Sequence, residues 1–477
     1  MFSGLSDDKA RMIRRWLPSA LPGLAMLVIG LVRPTRAVLS WDEIATADVA
    51  QRSVEQIWRL VHHIDGVFGV YYLTMHLWTS VFGDSMLSLR LPSILAMAVA
   101  AALTGELGRR LFGPLVGCLA GGLLCLIPNI SRYAAEARPY TIACMFSVLA
   151  LLLLFRALDR PGPGRWVAYT AAITAMGLFS LVALVALAGH FAVVLARRGA
   201  RFWVPWCAAV LAVLVVVSPL IWWGLRQRET QLHWVRPITA GGVYRFPELL
   251  TGSPEVAWLL IGLLLFAAFR PSRQILELAA VTLLPMAVLC AAAFGGVSFW
   301  INRYLLFVLL PAVIVAAAGL PRTRIAGLSA LAVVAAASVP GQLAVRQPTV
   351  KNGSDYRTLA GIIERRQQPG DVIVLEGGRT MRAGIDFYLR HDPGRPRDVL
   401  LNRSAAQTAT LEAAEHPDPV PRLAGTDRIW LVAYGRRADP ASGRPDLQRM
   451  LDTDFQRAGR WTVKRGAMAL YVRSPGP

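Results

Sequence analysis

The chain has 477 residues, 55% of them hydrophobic, with a mean hydropathy of +0.46 and a formal net charge of +20. So little polar surface cannot cover a soluble globule, and the composition specifies an integral membrane protein. The charge excess is nearly all arginine, with Lys9, Lys351 and Lys464 the only lysines; much of it lies in short loops between apolar runs, where insertion topology and anionic lipid account for it, which excludes nucleic acid as a partner.

The first apolar run, Leu17–Val38, follows Lys9, Arg11, Arg14 and Arg15 without a small-residue cleavage site, which predicts a retained first helix. A long loop from Leu39 to Ser85 comes next. It opens on Trp41-Asp42-Glu43 and contains Ile44–Val61 and Val70–Val81, whose mixed aromatic, aliphatic and polar residues predict helices in the membrane interface. Ten more spans are predicted at Leu87–Leu107, Leu111–Pro128, Pro139–Phe155, Trp166–Phe179, Leu181–Ala196, Phe202–Leu225, Val256–Phe269, Ile275–Gly295, Tyr304–Leu320 and Ile325–Val345, eleven in all.

The stretch Trp166–Ala196 is divided into two spans because Arg165 before it and Arg197-Arg198 after it belong on one side if positive charge stays inside. Arg109-Arg110, Arg156, Arg160, Arg201, Arg270, Arg273, Arg322 and Arg324 then also face the cytoplasm. The opposite face receives Trp41-Asp42-Glu43, the Glu136-Ala137-Arg138-Pro139-Tyr140 loop, the loop from Arg226 to Leu250 and the Asn302-Arg303-Tyr304 junction. No Asp or Glu lies mid-span, which disfavours an ion-coupled transporter. All five cysteines fall in apolar runs without metal-ligand spacing, and a divalent metal is not predicted.

From Arg346 onward no run is long enough to span, so residues 1–345 form a membrane domain and residues 346–477 a water-facing domain. Strands at Asp371–Leu375, Asp398–Leu401, Arg428–Tyr434 and Ala467–Val472 alternate with helices at Tyr356–Arg366, Thr380–Leu389, Ala405–Glu415 and Pro445–Phe455, the rhythm of a small α/β domain. Gly377-Gly378 lacks the spacing of a dinucleotide fingerprint.

Ser40-Trp41-Asp42-Glu43 reads as a capping box, which accounts for Glu43 and not for Asp42; capping and catalysis both remain open for the pair. Pro139 suits a first helical turn, and Glu136 suits the positive end of a helix dipole. Arg138 does not, and calls for an anionic partner, either Glu136 or a phosphate. Arg303, followed by Tyr304, reads as an interface anchor or a second phosphate grip. Arg226, Arg228, Arg236 and Arg245 with His233 and Trp234 make the longer external loop basic and aromatic, suited to phosphate and sugar or simply to solvent. His62 and His63 read as surface residues, and His190 as a hydrogen-bonded interhelical residue.

Four segments in order resemble the GT-C glycosyltransferases that use polyprenyl-phosphate sugars, in particular the glycosyltransferase family 39-like group: Trp41-Asp42-Glu43; Tyr71-Tyr72-Leu73-Thr74-Met75-His76-Leu77-Trp78 with Leu89-Arg90-Leu91-Pro92-Ser93; Ser131 to Tyr140; and Asn302-Arg303-Tyr304-Leu305-Leu306. The resemblance covers about residues 15–345 and implies a mainly α, polytopic membrane fold with a catalytic acid in the first external loop, at Asp42 with Glu43 beside it. One departure is Asp65-Gly66-Val67-Phe68-Gly69, where relatives often carry a histidine before the Tyr-Tyr-Leu element.

The resemblance also implies a sugar, mannose, moving from a polyprenyl phosphate to an acceptor hydroxyl on a glycan, glycolipid or protein, at the outer face of the cytoplasmic membrane. Asp42 is expected to act as base with Glu43 orienting or binding the acceptor, and Glu136, Arg138, Tyr140, Trp234, Arg303 and Tyr304 to bind substrate. The N-terminus is expected in the cytoplasm and the C-terminal domain outside. A polyprenyl-lipid flippase would need the arginines but not Asp42, and a scaffold would need neither.

Overall fold

A computed structural model describes residues 7–197, 199–232, 234–235, 237–297, 299–320, 323–376 and 380–475. Arg198, His233, Arg236, Arg322, Gly377 and Gly378 lie outside the described residues. In chain order the membrane part runs α1 (Asp7–Leu31), α2 (Trp41–Ala50), α3 (Val54–His63), α4 (Gly69–Phe82), α5 (Met86–Phe112), α6 (Pro114–Leu126), α7 (Pro128–Ala134), α8 (Tyr140–Asp159) and α9 (Pro163–Phe179). It continues with α10 (Ala186–Arg197), α11 (Ala200–Arg226), α12 (Arg228–Leu232), α13 (Ala240–Tyr244), α14 (Phe246–Thr251), α15 (Pro254–Ala268), α16 (Arg273–Phe294), α17 (Leu309–Gly319) and α18 (Arg324–Ala344).

Each of the eleven predicted apolar runs coincides with an apolar helical segment. Five helices are individually long and apolar enough to cross a membrane, and α6 with α7, bent by 72° at their junction, make a sixth. Pro128 at the start of α7 explains the bend, because it lacks the N–H that would continue the ladder from α6. The apolar segments Arg15–Leu31, Leu181–Arg197, Pro254–Ala268 and Leu306–Gly319 are shorter. The break between α9 and the segment from Leu181 falls at Ser180, so the long stretch is two helices, as the arginine distribution predicts. Between them the Tyr169 hydroxyl of α9 and His190 Nδ1 of α10 form a hydrogen bond at 3.0 Å, which joins the two helices.

Contacts divide the chain into two units: Met1–Pro34, Asp65–Tyr71 and Arg90–Arg346 in the first, and Thr35–Ile64, Tyr72–Leu89 and Gln347–Pro477 in the second. The sequence places its boundary after residue 345 and leaves the whole first external loop with the membrane helices; by contact, most of that loop groups with the C-terminal residues instead. The predicted helix Ile44–Val61 is two helices, because Ser53 caps α3 in a second capping box with Gln56. In the same unit Trp58 of α3 and Leu77, Val81 and Phe82 of α4 are exposed apolar side chains.

The C-terminal residues add α19 (Tyr356–Arg366), β1 (Val372–Leu375), α20 (Met381–Leu389), β2 (Arg397–Asp398), β3 (Leu401–Arg403), β4 (Ala414–Glu415), β5 (Arg428–Tyr434), α21 (Pro445–Asp454), β6 (Phe455–Val463) and β7 (Gly466–Arg473). A five-stranded sheet has the order β2-β1-β5-β7-β6, parallel across β2-β1-β5 and antiparallel across β5-β7-β6. Side-chain alternation along β5 splits the core. Trp430 and Val432 pack with Tyr356, Leu359 and Ile385, while Ile429 and Leu431 pack with Leu447 and Leu451. The Trp430 indole donates to Asp371, 2.7 Å away, so this large buried ring keeps its hydrogen bond.

Two expectations change here. Residues 405–415 are turns ending in β4, not a helix, because the Thr408 and Thr410 hydroxyls bond the Glu412 carbonyl and offer the backbone a local alternative. Strand β6 is additional: its outward face is polar, and only pairing with β7 buries the inward side chains.

Candidate active site

The predicted site residues fall in both units. In the second unit Ser40 caps α2: its Oγ accepts the Glu43 N–H at 3.3 Å, and Glu43 Oε2 accepts the Ser40 N–H at 3.0 Å. The capping box is therefore real. The same Oε2 accepts from Lys351 Nζ at 2.8 Å, and both side chains are closed from solvent, at 0% and 2% exposure. Asp42, one residue earlier, is half-buried and keeps part of its surface. The sequence reading expects Glu43 to orient or bind the acceptor beside Asp42; in the structure Glu43 is fully buried and has no surface with which to meet an acceptor.

The segment that leads into α2 is held almost entirely by C-terminal residues. Arg357 donates to the Thr35 and Arg36 carbonyls, the Val38 N–H to Pro348 O, the Leu39 N–H to the Tyr388 hydroxyl and the Trp41 N–H to Asn352 O. Gly353, at φ +156°, lets this backbone pass beside Leu39, whose carbonyl would lie 3.1 Å from a side chain there. The Lys464 ammonium donates to the carbonyls of Thr349 and Lys351. Trp41 packs against Tyr434 with ring centroids 6.0 Å apart, and the Arg465 guanidinium lies 5.0 Å from the Trp41 ring.

Lys351 and Lys464 are functional candidates that sequence reasoning missed. The signal was present: in a chain that uses arginine for nearly every cation, two of the three lysines meet at one loop.

In the first unit the structure brings together Arg138, Tyr140, Trp234, Arg303 and Tyr304, which are far apart in sequence. The Arg303 guanidinium lies 5.7 Å from the Tyr140 ring, 5.2 Å from Trp234 and 5.7 Å from Tyr304. Arg138 lies 5.9 Å from Tyr140 and 4.3 Å from Phe68. Tyr140 thus stands between two cations whose positions its quadrupole favours. Its hydroxyl is buried without a partner among the described residues, an acceptor and donor in a cationic setting. Phe68, at the position of the departure noted above, is the ring that carries Arg138.

Glu136 and Arg138 are both buried, and the Arg138 carbonyl accepts from Ser93 Oγ at 3.2 Å, which ties the Leu89–Ser93 segment to the Arg138 loop. Asn302 positions Arg303 from behind: its Nδ2 donates to Leu249 O at 2.8 Å, and its Oδ1 accepts the Arg303 N–H at 2.9 Å. Two aromatic contacts, Tyr133 with Tyr140 and Tyr140 with Tyr304, brace the wall. Among the described residues no group of three or more His, Cys, Asp or Glu is arranged to hold a metal ion.

Residues 69–223 match the sequence profile of a family described as dolichyl-phosphate-mannose-protein mannosyltransferase. Among curated proteins none matches by sequence. Two crystal structures of ArnT from Cupriavidus metallidurans are similar: one in the apo state, with a TM-score of 0.62 at 15% identity over 98% of both chains, and one bound to undecaprenyl phosphate, with 0.62 at 16% identity over 99% of this chain and 100% of that one. The arabinosyltransferase EmbB from Mycobacterium smegmatis gives 0.44 at 17% identity over 67% of this chain and 31% of its own. The ArnT likeness extends over nearly the whole length, C-terminal residues included, and establishes the polytopic membrane fold of the GT-C glycosyltransferases.

Proposed function

We propose that this chain, a member of the GT-C superfamily, transfers a sugar from a polyprenyl-phosphate donor to an acceptor hydroxyl, with mannose as the sugar. The observation that carries the reading is the arginine pair flanking Tyr140, a cationic wall faced with aromatic rings in which Arg138 is buried and Arg303 half-buried, which suits a phosphate joined to a sugar. The bound lipid phosphate of the similar ArnT structure supports the same donor class.

In the proposed reaction Asp42 accepts the proton of the acceptor hydroxyl while its oxygen bonds the anomeric carbon. The bond from that carbon to the phosphate oxygen breaks, its electron pair leaves with the lipid phosphate, and the anomeric configuration inverts. A phosphate leaves without needing a proton, so a single carboxylate base suffices and opposed carboxylates are unnecessary. Arg138 and Arg303 stabilise the charge that develops on the phosphate. Glu43, closed in its ion pair, holds the loop rather than the acceptor. The positive-inside distribution of arginine supports a site on the outer face of the cytoplasmic membrane, with the N-terminus inside and the C-terminal residues outside.

The test uses the full chain in nanodiscs with radiolabelled polyprenyl-phosphate mannose and a cell-envelope extract. Transfer by wild type that collapses in Asp42→Asn while donor binding persists is the expected result; donor binding with equal transfer by both proteins would remove Asp42 from the chemistry.

A further inference from the structure

The Glu43–Lys351 pair joins residues 308 positions apart, and both side chains are sealed from water. Removing two charges from water is costly, so such a pair is seldom worth keeping for stability alone; a well-packed apolar pair would serve as well or better. Its position indicates what it does. Glu43 is the third residue of α2 and is already engaged by the Ser40 N–H, so the ammonium completes a capped helix start whose preceding residue is Asp42.

The surroundings fix the ammonium rather than the carboxylate. Lys464 reaches the carbonyls of Thr349 and Lys351, and Asn352 O takes the Trp41 N–H, so the backbone on both sides of Lys351 is tied down. The other ionisable groups about the loop are Asp42 itself, Tyr388 at the Leu39 N–H, Tyr434 against Trp41, and Arg465 over the Trp41 ring. The Lys351 ammonium lies 2.8 Å from Glu43 Oε2.

We propose that Lys351 is a positioning residue: its ammonium neutralises the buried Glu43 and clamps the start of α2, and so holds the turn that carries Asp42 in its working position. The inference rests on the reading of Asp42 as base. It assigns the C-terminal residues a part in the chemistry through the segment that follows α18, where the sequence assigns them none.

Full-length Lys351→Met, Lys351→Arg and Glu43→Gln/Lys351→Met proteins in nanodiscs test this with the mannosyl donor and with thermal unfolding across pH. In Lys351→Met the buried Glu43 loses the Lys351 ammonium and its carboxyl takes up a proton more readily than in the unfolded chain; stability is highest at low pH and falls as pH rises above about 5. Wild type and Lys351→Arg do not acquire that slope. Transfer by Lys351→Met falls by about 10²-fold at saturating donor with donor affinity unchanged, the scale expected for a displaced catalytic group. The double variant, with neither charge buried alone, loses the slope and recovers transfer to within about tenfold of wild type. Flat stability across pH in Lys351→Met overturns the pairing whatever Asp42 does, and a double variant as inactive as Lys351→Met overturns charge neutralisation as its role. A sloping profile in Lys351→Met beside a fully active Asp42→Asn instead overturns Asp42 as base and leaves the pairing intact, so the two failures are distinguishable.

Discussion

The acidic loop of the second unit and the arginine wall of the first hold their charges by opposite means. Glu43 is neutralised by direct contact with Lys351 and by a capped backbone, in a dry setting where nothing is left to bind. Arg138 and Arg303 lie against the rings of Phe68, Tyr140, Trp234 and Tyr304, contacts that orient a guanidinium through its flat face. One region closes an ion pair away from solvent; the other lines a wall with guanidinium groups and aromatic rings. This difference predicts a division of labour in which the acidic loop governs turnover and the arginine wall governs donor affinity.

The largest effect should come from Asp42→Asn, with transfer reduced by about 10²–10⁴-fold. Radiolabelled donor retained on the variant at wild-type affinity is the matching observation; weakened binding would blur the division. Next, Arg138→Lys and Arg303→Lys keep the charge but lose the planar stack and the paired donors. Each should weaken donor binding by about tenfold in equilibrium assays, with turnover of bound donor changed less.

Tyr140→Phe sharpens the comparison because its two readouts move oppositely. Deleting a buried hydroxyl that has no protein partner should raise thermal stability by up to about 1 kcal/mol. If that hydroxyl serves the donor, affinity drops by about threefold to tenfold in the same protein.

The smallest effect lies away from both sites. Partial loss of hydration among packed protein atoms pushes the Asp386 carboxyl up to about 6, against the pull of Arg395 and with Asp398 adding to the rise. A carboxyl raised in this way supports the fold below its unfolded value and loses that contribution as pH climbs through about 6. Asp386→Asn should therefore match wild type near pH 4 and exceed it above pH 6. The side chain is 56% exposed, so water screens the effect to under about 1 kcal/mol in a thermal scan.

Much of this was legible in the chain itself. Eleven apolar runs became apolar helical segments because twenty or so apolar residues leave the backbone no partner in lipid but itself. Helix α19 and strand β5 fell where local patterning put them, at Tyr356–Arg366 and Arg428–Tyr434. Ser40 and Glu43 spelled a capping box at the required spacing, and the box formed. Arg138 at a helix start and Arg303 before an apolar run were recognisable as cations out of place, since a local rule, the helix dipole, was being broken.

What tertiary structure alone decided is which of these residues meet. Nothing local pairs Glu43 with a lysine 308 residues later, and without that pairing the two acids of the loop look equivalent. Nothing local gathers residues 35–64 and 72–89 with the C-terminal sheet either: the Tyr388 hydroxyl and the carbonyls of Pro348 and Asn352 are acceptors that the loop backbone finds only once both have folded. Sequence fixes periodicity and capping because those act within a few residues, whereas ion pairs and aromatic stacks act through space and depend on chain segments that only the completed fold makes neighbours.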